Sequence, residues 1–297
     1  MAQEQKVAVC GINIRIKDRD KRDYEALFRS LLRQKNAQKV YREDYLILTN
    51  FGKSDSSRLP FEGVIGRFTD IPEDAEWLNT TTLKEADEEQ KDSIFIPENL
   101  KPNYEAFFCG LFPKEHIFVF ETFSESLRLS PRHVLKWLKL ATKSKKTVER
   151  FGLIEVDLIP DYGVLEKILS SETLRKIEIV IRKPNPDDYT AEQFQAAEQR
   201  LERLQAKEER TEYTAEDDAF LDLDEETRAL AKVGGENGRV RGRLREDGAM
   251  KTVATDQQPL QEQELYDPDE ASAMAMFRNL AGRVLRKVKA NRGRQNA

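Results

Sequence analysis

The chain has 297 residues, enough for one large or two medium domains, with 39% hydrophobic residues, 35% charged residues and a formal net charge of −5. The charged share is high for a globular protein, so a packed core with a long polar segment is expected, and any site for a polyanion must be a local patch. No run approaches the roughly 20 apolar residues of a membrane span, MAQEQKVAVCGINIRI lacks a signal-peptide core, and Cys10 and Cys109 lie far apart in apolar, strand-like runs. These features predict a soluble cytoplasmic protein with buried free thiols and no membrane contact.

In chain order, residues 6–16 (KVAVCGINIRI) alternate apolar and polar and predict a strand. A helix is expected over 20–35, with Tyr24, Leu27, Phe28, Leu31 and Leu32 as its apolar stripe. Residues 45–50 form a short strand and 60–68 another, with Gly63 and Gly66 at possible bulge positions. Residues 70–103, rich in acids, Thr, Asn and Pro, predict a long surface segment with one short helix. Residues 104–111 and 117–123 predict an aromatic-rich hairpin. Ser130 and Pro131 open a helix running to about residue 143, Ser as N-cap and Pro at the first helical position. A strand over 153–159, a helix over 162–170 and a strongly alternating strand over 174–182 follow, the last ended by Pro184 and Pro186. This mixture of hairpins and helical crossovers predicts an α+β protein: a mixed or antiparallel sheet with flanking helices.

After Pro186 the composition shifts. Residues 190–212 read as a polar helix anchored by Phe194, Ala197, Leu201 and Leu204, and residues 208–226 hold ten acids against one arginine. A helix over 219–233 should stop at Gly234-Gly235. Two strands joined at Glu246-Asp247-Gly248 predict a β-hairpin, and Asp267-Pro268 precedes a last helix over 269–289. The expected division is a core at 1–186, an acidic helical segment at 187–235, and a basic hairpin with the C-terminal helix at 236–297.

Arg239, Arg241, Arg243 and Arg245 recur at every second residue in GRVRGRLR. On a strand, the period of two sets all four guanidinium groups on one face, about 7 Å apart. Phosphates along a nucleic-acid strand are the commonest partner for such a row, and Lys251 on the next strand is expected beside it. The alternative is an acidic partner: residues 208–226 of the same chain, or of a second subunit, which could also mask the row until DNA displaces it.

Two further basic sets support the first reading. Arg132, Lys136, Lys139 and Lys143 are spaced along one helical face. Residues 276–297 carry seven basic residues and no acid, among them Arg283, Arg286, Lys287 and Lys289, beside an apolar stripe of Met276, Phe277, Leu280, Val284, Leu285 and Val288 that fits the domain or a dimer partner. Solvated helix faces and complementation of a helix dipole explain such patterns equally well. His116 and His133 have no metal-ligand spacing, and no phosphate-binding loop or nucleophile motif is present. No cofactor, metal site or catalytic residue is expected; the one enzymatic alternative, a Mg²⁺-dependent nuclease, would use Glu155, Asp157, Glu178 and Lys183.

The phrases RFTDIPEDAEWLNTTTLKEADEE, IPENLKPN, FVFE with RLSP, IEIVIRKPNPDD, DEETRALAKVGGENG and YDPDE together resemble an uncharacterised bacterial family, a domain of unknown function often carried near mobile elements. The resemblance spans the chain to about residue 270 and implies no catalytic residues. VLEKIL, a short gap, then IEIVI with Arg182, Lys183 and Pro184 is more distantly similar to RexA, the phage-exclusion protein of a lambda prophage. That likeness implies a dimeric DNA-binding protein acting against phage. The resulting expectation is a sequence-tolerant nucleic-acid binder, for duplex DNA first, working as a homodimer with a separate effector protein. A protein-interaction module is the alternative.

Overall fold

The computed structural model describes residues 4–17, 22–72, 74–182 and 192–295. The first part of the chain runs β1 (Gln5–Ile16), α1 (Tyr24–Gln34), β2 (Gln38–Tyr41), β3 (Asp44–Lys53) and β4 (Phe61–Thr69). An excursion follows, holding β5 (Leu78–Asn79), β6 (Lys84–Glu85) and α2 (Glu88–Asp92). Then come β7 (Glu105–Phe112), β8 (Ile117–Ser124), β9 (Leu127–Arg128), α3 (Pro131–Ala141), α4 (Lys145–Phe151) and β10 (Ile154–Leu158). The remainder is α5 (Tyr162–Leu169), β11 (Leu174–Arg182), α6 (Glu192–Arg203), β12 (Glu208–Thr214), α7 (Glu225–Glu236), β13 (Gly238–Glu246), β14 (Ala249–Ala254), β15 (Gln261–Tyr266) and α8 (Ala273–Gln295). The class is α+β, with antiparallel pairing throughout the two main sheets.

The large sheet has the order β10-β1-β8-β7-β4-β3-β2, with β15 also on β1 and β9 on β8. β1 organises it. One edge pairs β8, while the other is shared, β15 taking residues 5–10 and β10 taking residues 12–16. Helices cover both faces of β1. Cys10, Ile12, Ile14 and Ile16 pack with Leu27 and Phe28 of α1 and Trp137 of α3, while Val7 and Val9 pack with Phe277, Leu280 and Val284 of α8. Burying each such side chain is worth about 1.5–3 kcal/mol. Gly11 is the point of closest approach, since a Cβ there would lie 2.7 Å from Ile159 Cδ1. The positions of β1 expected to face water are therefore buried too, Arg15 down to 1% exposed. Cys10 and Cys109 are buried and free, and burial raises both thiols, Cys10 to about 12.

The smaller sheet has the order β12-β11-β13-β14. Ile177, Ile179, Val240 and Leu244 form its covered face, under α5, α6 and α7. Its strand pairing crosses the expected division of the chain: β11 joins β13, and β15 with α8 returns to β1.

Local chemistry explains most element ends. The Asp23 side chain accepts from Ala26 N at 2.8 Å to start α1, and Asp224 accepts from Thr227 N at 2.7 Å to start α7. Ser130 sits at the N-cap of α3 without a side-chain capping bond, so Pro131 at the first turn sets that start. Asp247 (φ 51°) and Gly248 (φ 77°) make the tight β13–β14 turn, where both central residues need positive φ.

Three expectations are corrected. The polar helix does not reach residue 212: α6 ends at Arg203, and Glu208–Thr214 is an edge strand on β11, its exposed charges protecting that edge. α7 starts at Glu225 rather than 219 and runs through Gly234-Gly235 to Glu236. These glycines allow close packing rather than ending the helix, because a Cβ would lie 2.8 Å from Ile179 at Gly234 and 2.8 Å from Leu165 at Gly235. The last helix starts at Ala273 rather than 269. The expected start of α1 at Asp20 and the strand-ending Pro184 and Pro186 lie outside the described residues.

Candidate nucleic-acid interface

β13 has the expected alternation. Val240, Gly242 and Leu244 are buried, while Arg243 and Arg245 are exposed and Arg239 and Arg241 half-buried on the opposite face. On that face β11 contributes Lys176, Glu178, Val180 and Arg182, with Glu178 paired in register with Arg241. The Arg239 guanidinium binds Glu178 and lies 3.9 Å from Asp256. Burial pushes the Glu178 carboxyl up, but the hydrogen bond from Arg239, with the charges of Arg239, Arg241 and Arg210, outweighs it and holds the group below its ordinary value. Arg241, Arg243 and Arg245 form no ion pair among the described residues.

α3 stands across a cleft from this strand. Arg132, Lys136, Lys139 and Lys143 line it from the helix, Arg239 and Arg241 from β13, and Arg182 from β11, around a volume of about 650 Å³. Among the described residues, Asp157 and Asp256 are the only acids lining it. Two basic rows about 100 residues apart in sequence thus face one space. Lys136 donates to Val40 O at 2.8 Å, whereas Arg132, Lys139 and Lys143 form no ion pair among the described residues. Burial lowers the pKa of Lys139, the Asp157 charge opposes the shift, and the charges of Arg182, Arg15 and Lys143 add to it. The Nε atoms of Arg239 and Arg241 are buried with no acceptor.

Asp157 marks one end of the cleft. It accepts from the buried Arg15 and from Arg182, the latter at 2.5 Å, so the Asp157–Arg182 pair links β10 to β11. A second cavity of about 740 Å³ lies beyond it and shares Lys139, Lys143, Asp157 and Arg182 as lining. Arg182 lines the cleft although it is not among the site residues expected from the sequence. Its position at the end of an alternating strand was visible, but its approach to Asp157 depends on how the two sheets meet.

The other predicted site residues lie elsewhere. Lys251 pairs in register with Leu244, so it faces away from the arginine row and binds Glu246 at 3.1 Å. On α8, Arg283 binds Glu264 at 2.6 Å, Lys287 binds Glu262 and Lys289 binds Glu115 at 2.7 Å, while Arg286 forms no ion pair among the described residues. The apolar stripe of α8 is buried in the chain itself, so it supplies no dimer face. The acidic strand β12 is separated from β13 by β11 and does not cover the arginines.

The carboxylates of the nuclease alternative are engaged by cations: Glu155 with Lys17 at 2.9 Å, Asp157 with two arginines, and Glu178 with Arg239. Lys183 lies outside the described residues. Among the described residues no group of three or more His, Cys, Asp or Glu stands where it could hold a metal ion, and no helix is long and apolar enough to cross a membrane. His133 stacks on Tyr41 and His116 on Tyr24, neither in the cleft.

The fold and the cleft define an α+β protein whose two sheets meet at a strongly basic groove. The chain belongs to the family described as Domain of unknown function (DUF4747), whose model matches residues 5–282. No curated protein matches the chain.

Proposed function

We propose that this protein binds nucleic acid, duplex DNA first, through its phosphates and without reading bases. The observation that carries this reading is the convergence of the α3 basic face with the β13 arginine row at one cleft, where Arg132, Lys139, Lys143 and Arg241 have no ion-pair partner among the described residues. Keeping that many cations close together is unfavourable unless an anion neutralises them. Arg243 and Arg245 extend the basic track onto the open face of the sheet. The cytoplasmic, anti-phage or phage-exclusion setting, with a separate effector, rests on the likeness of VLEKIL and IEIVIRKP to RexA and on the mobile-element setting that the family resemblance implies. A homodimer belongs to the same proposal and needs a surface other than the α8 stripe.

The test is binding of labelled duplex DNA to wild type and to the Arg239/Arg241/Arg243/Arg245→Glu variant at two salt concentrations. Salt-dependent binding that the variant loses supports the reading. No binding by wild type at low salt overturns it in favour of a protein-interaction module. That second reading has its own observation: the acidic excursion between β4 and β7 exposes Phe95 at 86% and Leu83 at 78%.

A further inference from the structure

On the phosphate-binding reading above, we propose that the cleft between α3 and β13 receives the terminal phosphate monoester of a nucleic-acid strand, while Arg243 and Arg245 carry the diesters leading to it. The arginine row is divided in two by the fold. Arg239 and Arg241 line the cleft, and Arg243 and Arg245 lie outside it on the exposed sheet face. Unmatched positive charge is concentrated inside, where Lys139, Lys143 and Arg132 join Arg241. A monoester carries a charge of about −1.5 to −2 at neutral pH and three acceptor oxygens, against −1 for a diester. The denser end of the track therefore matches the more highly charged end of the strand.

Three further features agree. The Nε–H groups of Arg239 and Arg241 are buried with no acceptor among the described residues, so both guanidinium groups at the cleft are left with unmet donors. The Asp157–Arg182 pair, with Arg15 also on Asp157, lines the cleft at the end of β13 away from Arg243 and Arg245, so a strand laid along the row reaches the cleft last. Among the described residues no aromatic side chain lines the cleft, so these offer no stacking platform for a base and suit a phosphate group.

The experiment measures the affinity of the full chain for one internally labelled blunt duplex in four forms: with 5′-phosphates, with 3′-phosphates, with hydroxyl ends, and closed by hairpin caps so that no end exists. A phosphorylated form bound about tenfold more tightly than the hydroxyl and capped forms supports the proposal, and the favoured arm assigns the polarity. The Arg241→Gln/Lys139→Gln variant should lower the phosphorylated duplex to the affinity of the hydroxyl form. Arg243→Gln/Arg245→Gln should weaken all four forms by a common factor. Equal binding of all four forms by wild type overturns the end-recognition proposal and leaves phosphate binding standing. Absence of binding to every form removes both. The wild-type comparison decides the matter even if a variant fails to fold.

Discussion

Lys251 and Arg243 differ by strand register and by little else that the sequence displays. Both are cations on adjacent strands of one hairpin, yet Arg243 faces Thr252 on the open side while Lys251 pairs with Leu244 and points to the other side. Lys251→Gln should leave DNA affinity unchanged within error, while Arg243→Gln should weaken it several-fold, as seen in parallel anisotropy titrations. A different residue governs pH behaviour. Glu121 on β8 is 1% exposed, accepts from Phe108 N at 2.7 Å, and is pushed up to about 8 by burial, a shift its hydrogen bonds only partly offset. A carboxyl whose folded pKa lies above its unfolded value binds more protons when folded. Its contribution therefore destabilises the fold progressively as pH rises from its ordinary value of 4.5 towards 8. Glu121→Gln should melt increasingly above wild type as pH is raised from 5 to 9, with the gap closing in acid. A constant gap across thermal melts would contradict this.

At the scale of elements, the legible parts were those set by short-range chemistry. The alternating strands at β1, β11 and β13, the Asp-Gly hairpin, the Pro-initiated α3 and the apolar stripe of α1 all follow from periodicity and turn residues within a few positions. The misread parts were decided by distant neighbours. Glu208–Thr214 is a strand because β11 offers it an edge, and Gly234-Gly235 lies inside a helix because β11 and α5 leave no room for a side chain. Gly238 is the tightest such position, where a Cβ would lie 1.9 Å from Val180 O. Gly238→Ala should cost about 1–3 kcal/mol or more by overpacking against backbone that cannot yield, measured by urea unfolding. Phe277→Ala on α8 should cost about 3–5 kcal/mol, because its ring is fully buried against the sheet.

At the scale of the whole molecule, the site comes from the meeting of two sheets. Each basic row was visible in the sequence, but the space they share was not, since α3 packs on the large sheet and β13 belongs to the small one. The same long-range packing engages three of the predicted α8 cations, seating Lys287, Arg283 and Lys289 against Glu262, Glu264 and Glu115, and leaves Arg286 away from the cleft. One phosphate surface built from α3 and β13 is the central claim, and the salt dependence of duplex DNA binding tests it most directly. Six cations of the two rows that form no ion pair among the described residues, Arg132, Lys139, Lys143, Arg241, Arg243 and Arg245, predict a slope of log K against log salt of roughly −5 if each meets a phosphate. Arg132→Gln/Lys143→Gln and Arg243→Gln/Arg245→Gln should each make that slope shallower by about two. A slope that changes for one pair and not for the other would show that the two rows do not act together, and no measurable binding at low salt would contradict the account as a whole.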